Sequence, residues 1–226
     1  MVILNNVEEG IPNMKKRVLA LCLAITFLTV TMSGCVKVVK IGEEGKLTGA
    51  KTFSAGDDVD SFWESQALPE LTEKAVDLGE LLTQANGDLE SVAEEYGTYS
   101  MGASGELSYT VKGTASVTAV ETEKKAGYIE VNLEGYEGTE VIKIQVGSVM
   151  KGSSVRDSLS FIKFGDYTNQ QEYAAVSQGI NSKIMETVID PEAAGDLLGK
   201  TISFTGCFTV KGNDELIITP VALEEE

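Results

Sequence analysis

Apolar positions change their spacing twice along this chain. An uncharged apolar run fills positions 18–32, directly after the basic cluster Lys15-Lys16-Arg17. From 57 to 96 the spacing is helical: Phe62, Trp63, Ala67, Leu71, Ala75, Leu78, Leu81 and Leu82 recur three, four or seven positions apart, which predicts a buried stripe along helices. Pro69 suits the start of a new helix, and Asn86-Gly87-Asp88 breaks it before a third piece over 89–96. From Gly105 the period falls to two. Alternation over 107–111 and 115–120, with Gly113 between them, predicts one long strand that can bend at the glycine. Strands over 128–133 and 141–146 follow across glycine-bearing turns, completing a meander.

A Gly- and Ser-rich passage over 147–154 leads to a predicted helix over 168–188. Thr168 is its expected N-cap, Tyr173, Val176, Ile180, Ile184 and Val188 form its inner face, and Asp190-Pro191 stops it. Strands over 201–210 and 216–223, joined through Gly212-Asn213-Asp214, close the chain. Three strands, a helix and two strands, the first strand long and bent, is the element order of an OB-fold. The expected class is α+β: an OB-like, five-stranded, partly open β-barrel (β-β-β-α-β-β) over 105–226, preceded by a helical segment over 57–104 that packs on it.

The apolar run at 18–32 is shorter than the about 20 residues a membrane-crossing helix needs. Basic cluster, apolar run and the small pair Ser33-Gly34 follow the order of a secretory signal. Met32-Ser33-Gly34-Cys35 resembles the lipobox of bacterial lipoproteins, in which the cysteine thiol receives a diacylglyceryl group and becomes the new N-terminus. Cys35 is therefore the expected lipidation site, with 1–34 removed, translation starting at Met14, and 35–56 forming a tether. Two or more acyl chains hold a protein on a membrane stably. The expected location is extracytoplasmic, facing the periplasm or the outer face of a single-membrane cell.

Removing 1–34 takes away three of the 18 basic and two of the 35 acidic side chains, so the exported chain is at least as acidic as the precursor, whose formal charge is −17. Nucleic-acid binding rests on Lys and Arg neutralising phosphates, so no nucleic-acid partner is expected. Of three cysteines, Cys22 leaves with the leader and Cys35 carries the lipid, so Cys207 remains as a small apolar residue on a strand with no disulfide partner. The chain has no histidine, which removes Ser-His-Asp catalysis, a His-activated thiol and most zinc sites. No metal and no cofactor are expected.

Three short motifs have simpler explanations than chemistry. Gly195 to Thr201 resembles a phosphate-binding loop but has three residues between its glycines instead of four, and it leads into a strand. Ser148-Val149-Met150-Lys151 matches Ser-x-x-Lys without the partner motifs of penicillin-binding enzymes. Asp57, Asp58 and Asp60 lack the spacing of a calcium loop and suit a helix N-terminus. The remaining constellation is Arg156-Asp157 with Asn169-Gln170, polar pairs that bracket 161–166. A tight crossover would let them hydrogen-bond sugar hydroxyls while Tyr167 or Tyr173 supplies a stacking face. The simpler outcome is that Arg156 pairs with Asp157 and the amides cap the helix start.

The stretch Gln145-Val146-Gly147-Ser148-Val149-Met150-Lys151-Gly152-Ser153-Ser154-Val155-Arg156-Asp157, followed by Phe161 to Gln170, resembles the DUF2291 family of predicted periplasmic lipoproteins, as does the later span from Gly199-Lys200 to Thr219-Pro220-Val221. Tyr167, Ser148 and Lys151 stand where that family favours Phe, Pro and Arg. The resemblance implies an accessory envelope lipoprotein with an ABC transporter for sugars, or its solute-binding protein, as partner; because no pair of acids stands out from the acidic background, binding of a ligand or partner without catalysis is the expected role. The alternative is an envelope hydrolase using carboxylates, which can act without histidine.

Overall fold

The computed structural model describes residues 54–103 and 105–226, together with Val18. Cys35, the expected tether as far as 53 and, Val18 apart, the expected leader lie outside the described residues, and 54–56, the end of that tether, instead begin the first helix. The chain divides after Thr52, and the unit Phe53–Glu226 carries the architecture below.

Helix α1 (Ala55–Phe62) opens at Ser54, whose hydroxyl accepts from the Asp57 N–H, with Asp57 and Asp58 in the first turn. Carboxylates are favourable there because they face unpaired N–H groups. A π-helical turn, Trp63–Ala67, leads into α2 (Leu68–Lys74), which has Pro69 at its start. Proline has no N–H to give the preceding turn, and the turn widens so that the Leu68 N–H reaches the Trp63 carbonyl. A two-residue strand, β1 (Val76–Asp77), comes next, and Asp77 caps α3 (Leu78–Ala85) through the Glu80 N–H at 2.9 Å. Asn86, at φ 45°, ends α3 in the left-handed region, as the expected break requires. A 3₁₀ turn (Leu89–Val92) and α4 (Ala93–Tyr96) complete the segment. Every member of the predicted stripe from Phe62 to Leu82 is buried.

The segment is not wholly helical. Strand β2 (Gly97–Ala103) pairs antiparallel with β3 (Leu107–Glu121), Gly97 opposite Tyr109, and β1 lies parallel to β3 at Val76 and Val111. The boundary expected at 104 therefore falls inside one continuous sheet. The Tyr109 hydroxyl donates to the Leu89 carbonyl, tying the 3₁₀ turn to that sheet.

Beyond β3 the sheet adds β4 (Tyr128–Leu133), β5 (Val141–Gln145), β6 (Thr201–Thr209) and β7 (Glu215–Glu225). Pairing runs β3-β4-β5-β7-β6 and returns to β3, a ring of five strands in which only β5 and β7 are parallel. Strand β3 changes partner across Gly113: Lys112 is the last residue opposite β1 and Ala115 the first opposite β4. The register irregularity itself lies further on, between Val117 and Ala119. There Val117 exchanges backbone hydrogen bonds with Gly199 and Lys200.

Between β5 and β6 the chain forms α5 (Ser154–Ser158), a 3₁₀ turn (Phe164–Asp166) and α6 (Gln170–Thr187). Helix α5 was not foreseen, because its polar residues carry no helical stripe. The N-cap of α6 is Asn169, not Thr168: its Oδ1 accepts from the N–H groups of Gln171 and Glu172, both at 2.9 Å. Thr168 instead gives its N–H to the Glu172 carboxylate. Tyr173, Val176, Ile180 and Ile184 are buried as expected. Gly179 lets α1 approach, since a Cβ there would stand 3.0 Å from the Ala55 carbonyl oxygen. The Lys183–Asp60 ion pair, at 2.8 Å, joins the same two helices. The phosphate-loop look-alike is a 3₁₀ turn (Ala194–Leu197) running into β6.

Candidate functional site

Arg156 and Asp157 are neighbours on α5, and both are buried. The guanidinium donates through Nε (2.8 Å) and Nη2 (2.6 Å) to Asp157 Oδ1, and through Nη1 to the Tyr173 carbonyl at 3.1 Å. It also stacks on the Tyr173 ring, 3.7 Å from the centroid. Asp157 Oδ2 accepts from the Ser153 hydroxyl at 2.6 Å. Burial, foremost, raises the Tyr173 hydroxyl above its ordinary range. Phe164 and Tyr167 bring their rings to 5.4 and 5.6 Å from that of Tyr173.

The structure thus gathers Arg156, Asp157, Tyr167 and Tyr173, but as an aromatic and ionic joint between α5 and α6. Asn169 uses its side-chain oxygen as the α6 cap, and Gln170 is exposed at the start of that helix. Arg156, Asp157 and Tyr173 are occupied with one another, the arrangement a buried polar cluster needs for its own stability. Of the expected binding residues, Arg156, Asp157 and Tyr167 meet at this joint, while Asn169 and Gln170 stand at the exposed start of α6.

A cleft of about 540 Å³ lies elsewhere, on the outer face of β4, β5 and β7. Strand alternation builds its floor. Ile142, Ile144, Leu216 and Ile218 turn into the core, so Lys143, Gln145, Ile217 and Thr219 face outward into the cleft. Tyr128 joins them from β4, opposite Gln145. Lys143 lies over the Tyr128 ring, 4.6 Å from its centroid, and pairs with Glu215 and, at 3.8 Å, with Glu130. The Glu215 carboxylate, by its hydrogen bond, holds the Lys143 ammonium above its usual range.

Below the floor a polar network fixes one wall. The Gln145 amide donates to the Thr219 hydroxyl (2.8 Å) and the Lys151 carbonyl (3.0 Å), and accepts from the Lys151 N–H (2.9 Å). The Ser154 hydroxyl donates to the Cys207 carbonyl at 3.1 Å. Lys151 is thereby set at the rim. A second wall comes from the 122–127 turn. Gly127 O accepts from Val146 and Gly147, and Lys125 O accepts from Val149. That approach requires glycine, because a Cβ on Gly147 would stand 2.1 Å from Gly127 N. The third wall is the β6–β7 turn with Lys211, Gly212 and Asp214, beside Glu106.

None of Arg156, Asp157, Tyr167, Asn169 or Gln170 lines this cleft. Part of the family-like stretch, Gln145 and 151–154, lines the cleft, but its most specific elements, Arg156-Asp157 and Tyr167 to Gln170, lie outside it. What could not be read was that β5 and β7 lie side by side. Cys207 is buried beneath, its thiol pushed up to about 11 by burial, as befits an inert core residue.

In solved structures the chain is similar to the crystal structure of an OB-fold protein from Thermotoga maritima. That likeness has 16% identity and a TM-score of 0.59, and covers 78% of this chain and all of the other. At that identity it shows the fold. No curated protein matches the chain. No helix among the described residues is long and apolar enough to cross a membrane. Residues 25–224, a span that includes Cys35, match a family described as predicted periplasmic lipoprotein, and the chain belongs to that family, DUF2291.

Proposed function

We propose that this lipoprotein is a non-catalytic binding module, held at the envelope through a lipid on Cys35, that presents the cleft on β4, β5 and β7 to a ligand. The observation that carries the reading is the cleft itself, on the ring face between the 122–127 and 210–214 turns. OB-folds use the corresponding strand face and loops to hold oligosaccharides and oligonucleotides. Fold alone does not specify function, and the acidic chain disfavours nucleic acid. An exposed apolar side chain, Ile217, beside the Tyr128 ring and several polar groups is the mixture a small-molecule site needs. The same reading makes the protein an accessory of sugar uptake, working beside an ABC transporter or a solute-binding protein.

Hydrogen exchange on the detergent-solubilised lipoprotein, with and without a panel of neutral and charged sugars, tests the binding role. Protection confined to Tyr128, 151–154 and 209–214, with every sugar recovered intact, is the expected result. Turnover of a panel member that disappears in Glu106→Gln or Asp214→Asn would replace this reading with the carboxylate hydrolase.

A further inference from the structure

We propose that the cleft binds a small organic anion that also carries hydroxyl groups, its carboxylate or phosphate oxygens seated at Lys151 and its hydroxyls donating to Glu106 and Asp214. The inference rests on the cleft being a binding site and names the class of ligand.

Free positive charge is scarce in a chain with formal charge −17. Lys74, Lys143, Arg156, Lys183 and Lys200 are each committed to a carboxylate. Of the described lysines outside ion pairs, Lys151 and Lys211 line the cleft, and Lys124 and Lys125 stand on the turn that walls it. Cations left unpaired around one concavity in an acidic protein focus negative potential away from it and lower the cost of bringing an anion in.

The lining is divided. The half built from 126–128, Gln145 and 151–154 contains no carboxylate. Lys151 is held there by the two hydrogen bonds its backbone makes with Gln145. The other half, around the β6–β7 turn, carries Glu106 and Asp214 beside Lys211, and Glu215 is already neutralised by Lys143. Carboxylates without a cation partner repel a second anion but accept strongly from hydroxyls. Between the halves lies Ile217, 48% exposed, an apolar surface for the carbon skeleton. A neutral sugar would leave Lys151 unanswered, and a bare inorganic anion would leave Glu106 and Asp214 unanswered.

Calorimetry on the full lipidated chain in detergent, with glucuronate, glucose and inorganic phosphate as separate probes, tests this. Glucuronate should bind at least about tenfold more tightly than either of the others, a difference of about 1.4 kcal/mol. Lys151→Ala should remove that preference, Lys151→Arg should restore it, and Lys163→Ala, an exposed lysine outside the cleft, should leave it intact. All three variants should melt with the wild type. Glucose binding as well as glucuronate would overturn the anionic inference and leave the cleft a binding site. Phosphate binding as well as glucuronate would overturn the hydroxyl half. Absence of heat with every probe would overturn the inference and count against the binding role as well.

Discussion

Nη2 of Arg156 lies 2.6 Å from Oδ1 of Asp157, the next residue in the chain; both side chains are buried, and the guanidinium stacks on the ring of Tyr173. A buried charge that loses its partner keeps its desolvation cost. Arg156→Ala should therefore destabilise the domain by about 3–5 kcal/mol, and Asp157→Ala by a similar amount. The double variant Arg156→Met, Asp157→Leu should lose distinctly less than the two single losses together. Urea unfolding of the four proteins gives these values directly.

Ser177 is the converse case. Its hydroxyl is the only buried side-chain polar atom without a hydrogen-bond partner among the described residues. The carbonyl four residues before it, that of Tyr173, accepts from Arg156 instead. Removing an unsatisfied buried hydroxyl relieves a desolvation cost, so Ser177→Ala should melt no lower than the wild type. A fall in the melting temperature would show that the hydroxyl has a partner in solution.

The wall formed by the 122–127 turn depends on close backbone contact. At Gly147 a Cβ would meet Gly127 N and, at 2.4 Å, Lys125 O, both backbone atoms that cannot swing aside. Gly147→Ala should cost about 1–3 kcal/mol, the range for overpacking, and should speed amide exchange at Val146, Gly147 and Val149. Gly152, with open space around its Cβ position but φ +95°, should tolerate Asn better than Val.

Glu70 joins α2 to the turn that follows α5. It pairs with Lys74 at 2.5 Å and accepts from the Ser160 N–H at 2.8 Å. Burial pushes its carboxyl up, but Lys74 and the Ser160 N–H together outweigh that and hold it below the ordinary glutamate range. A depressed folded value means the contribution is present above the unfolded value and is lost as pH falls through the folded one. The melting temperatures of wild type and Glu70→Gln should therefore differ near neutrality and converge as the solution is acidified below about pH 4. A difference that persists unchanged at pH 3 would contradict the assignment.

Much of the ring was legible because its physics is local. Ile142 and Ile144, or Leu216 and Ile218, alternate with outward residues, and each strand can be read from its own few positions. Strand β2 was not legible: its glycine-bearing sequence pairs with β3 only through Gly97, Thr98 and Tyr99, and the partner, not the sequence, makes it a strand. The same holds for the sites. Arg156-Asp157 stood out because, with Asn169-Gln170, it brackets 161–166; that Arg156 pairs with its own neighbour and stacks on Tyr173 depends on how α6 packs, which the sequence does not show. The cleft joins Tyr128, Lys151 and Lys211, which only the parallel pairing of β5 with β7 and the return of β6 bring around one space.

Chemical-shift mapping of the detergent-solubilised lipoprotein titrated with glucuronate tests the placement of the site most directly. A contiguous set of perturbed signals at Tyr128, Gln145, Lys151, Gly212 and Ile217 is expected, with Tyr167, Asn169 and Gln170 unmoved. Perturbations centred on Tyr167, Asn169 and Gln170, with the cleft silent, would contradict that placement.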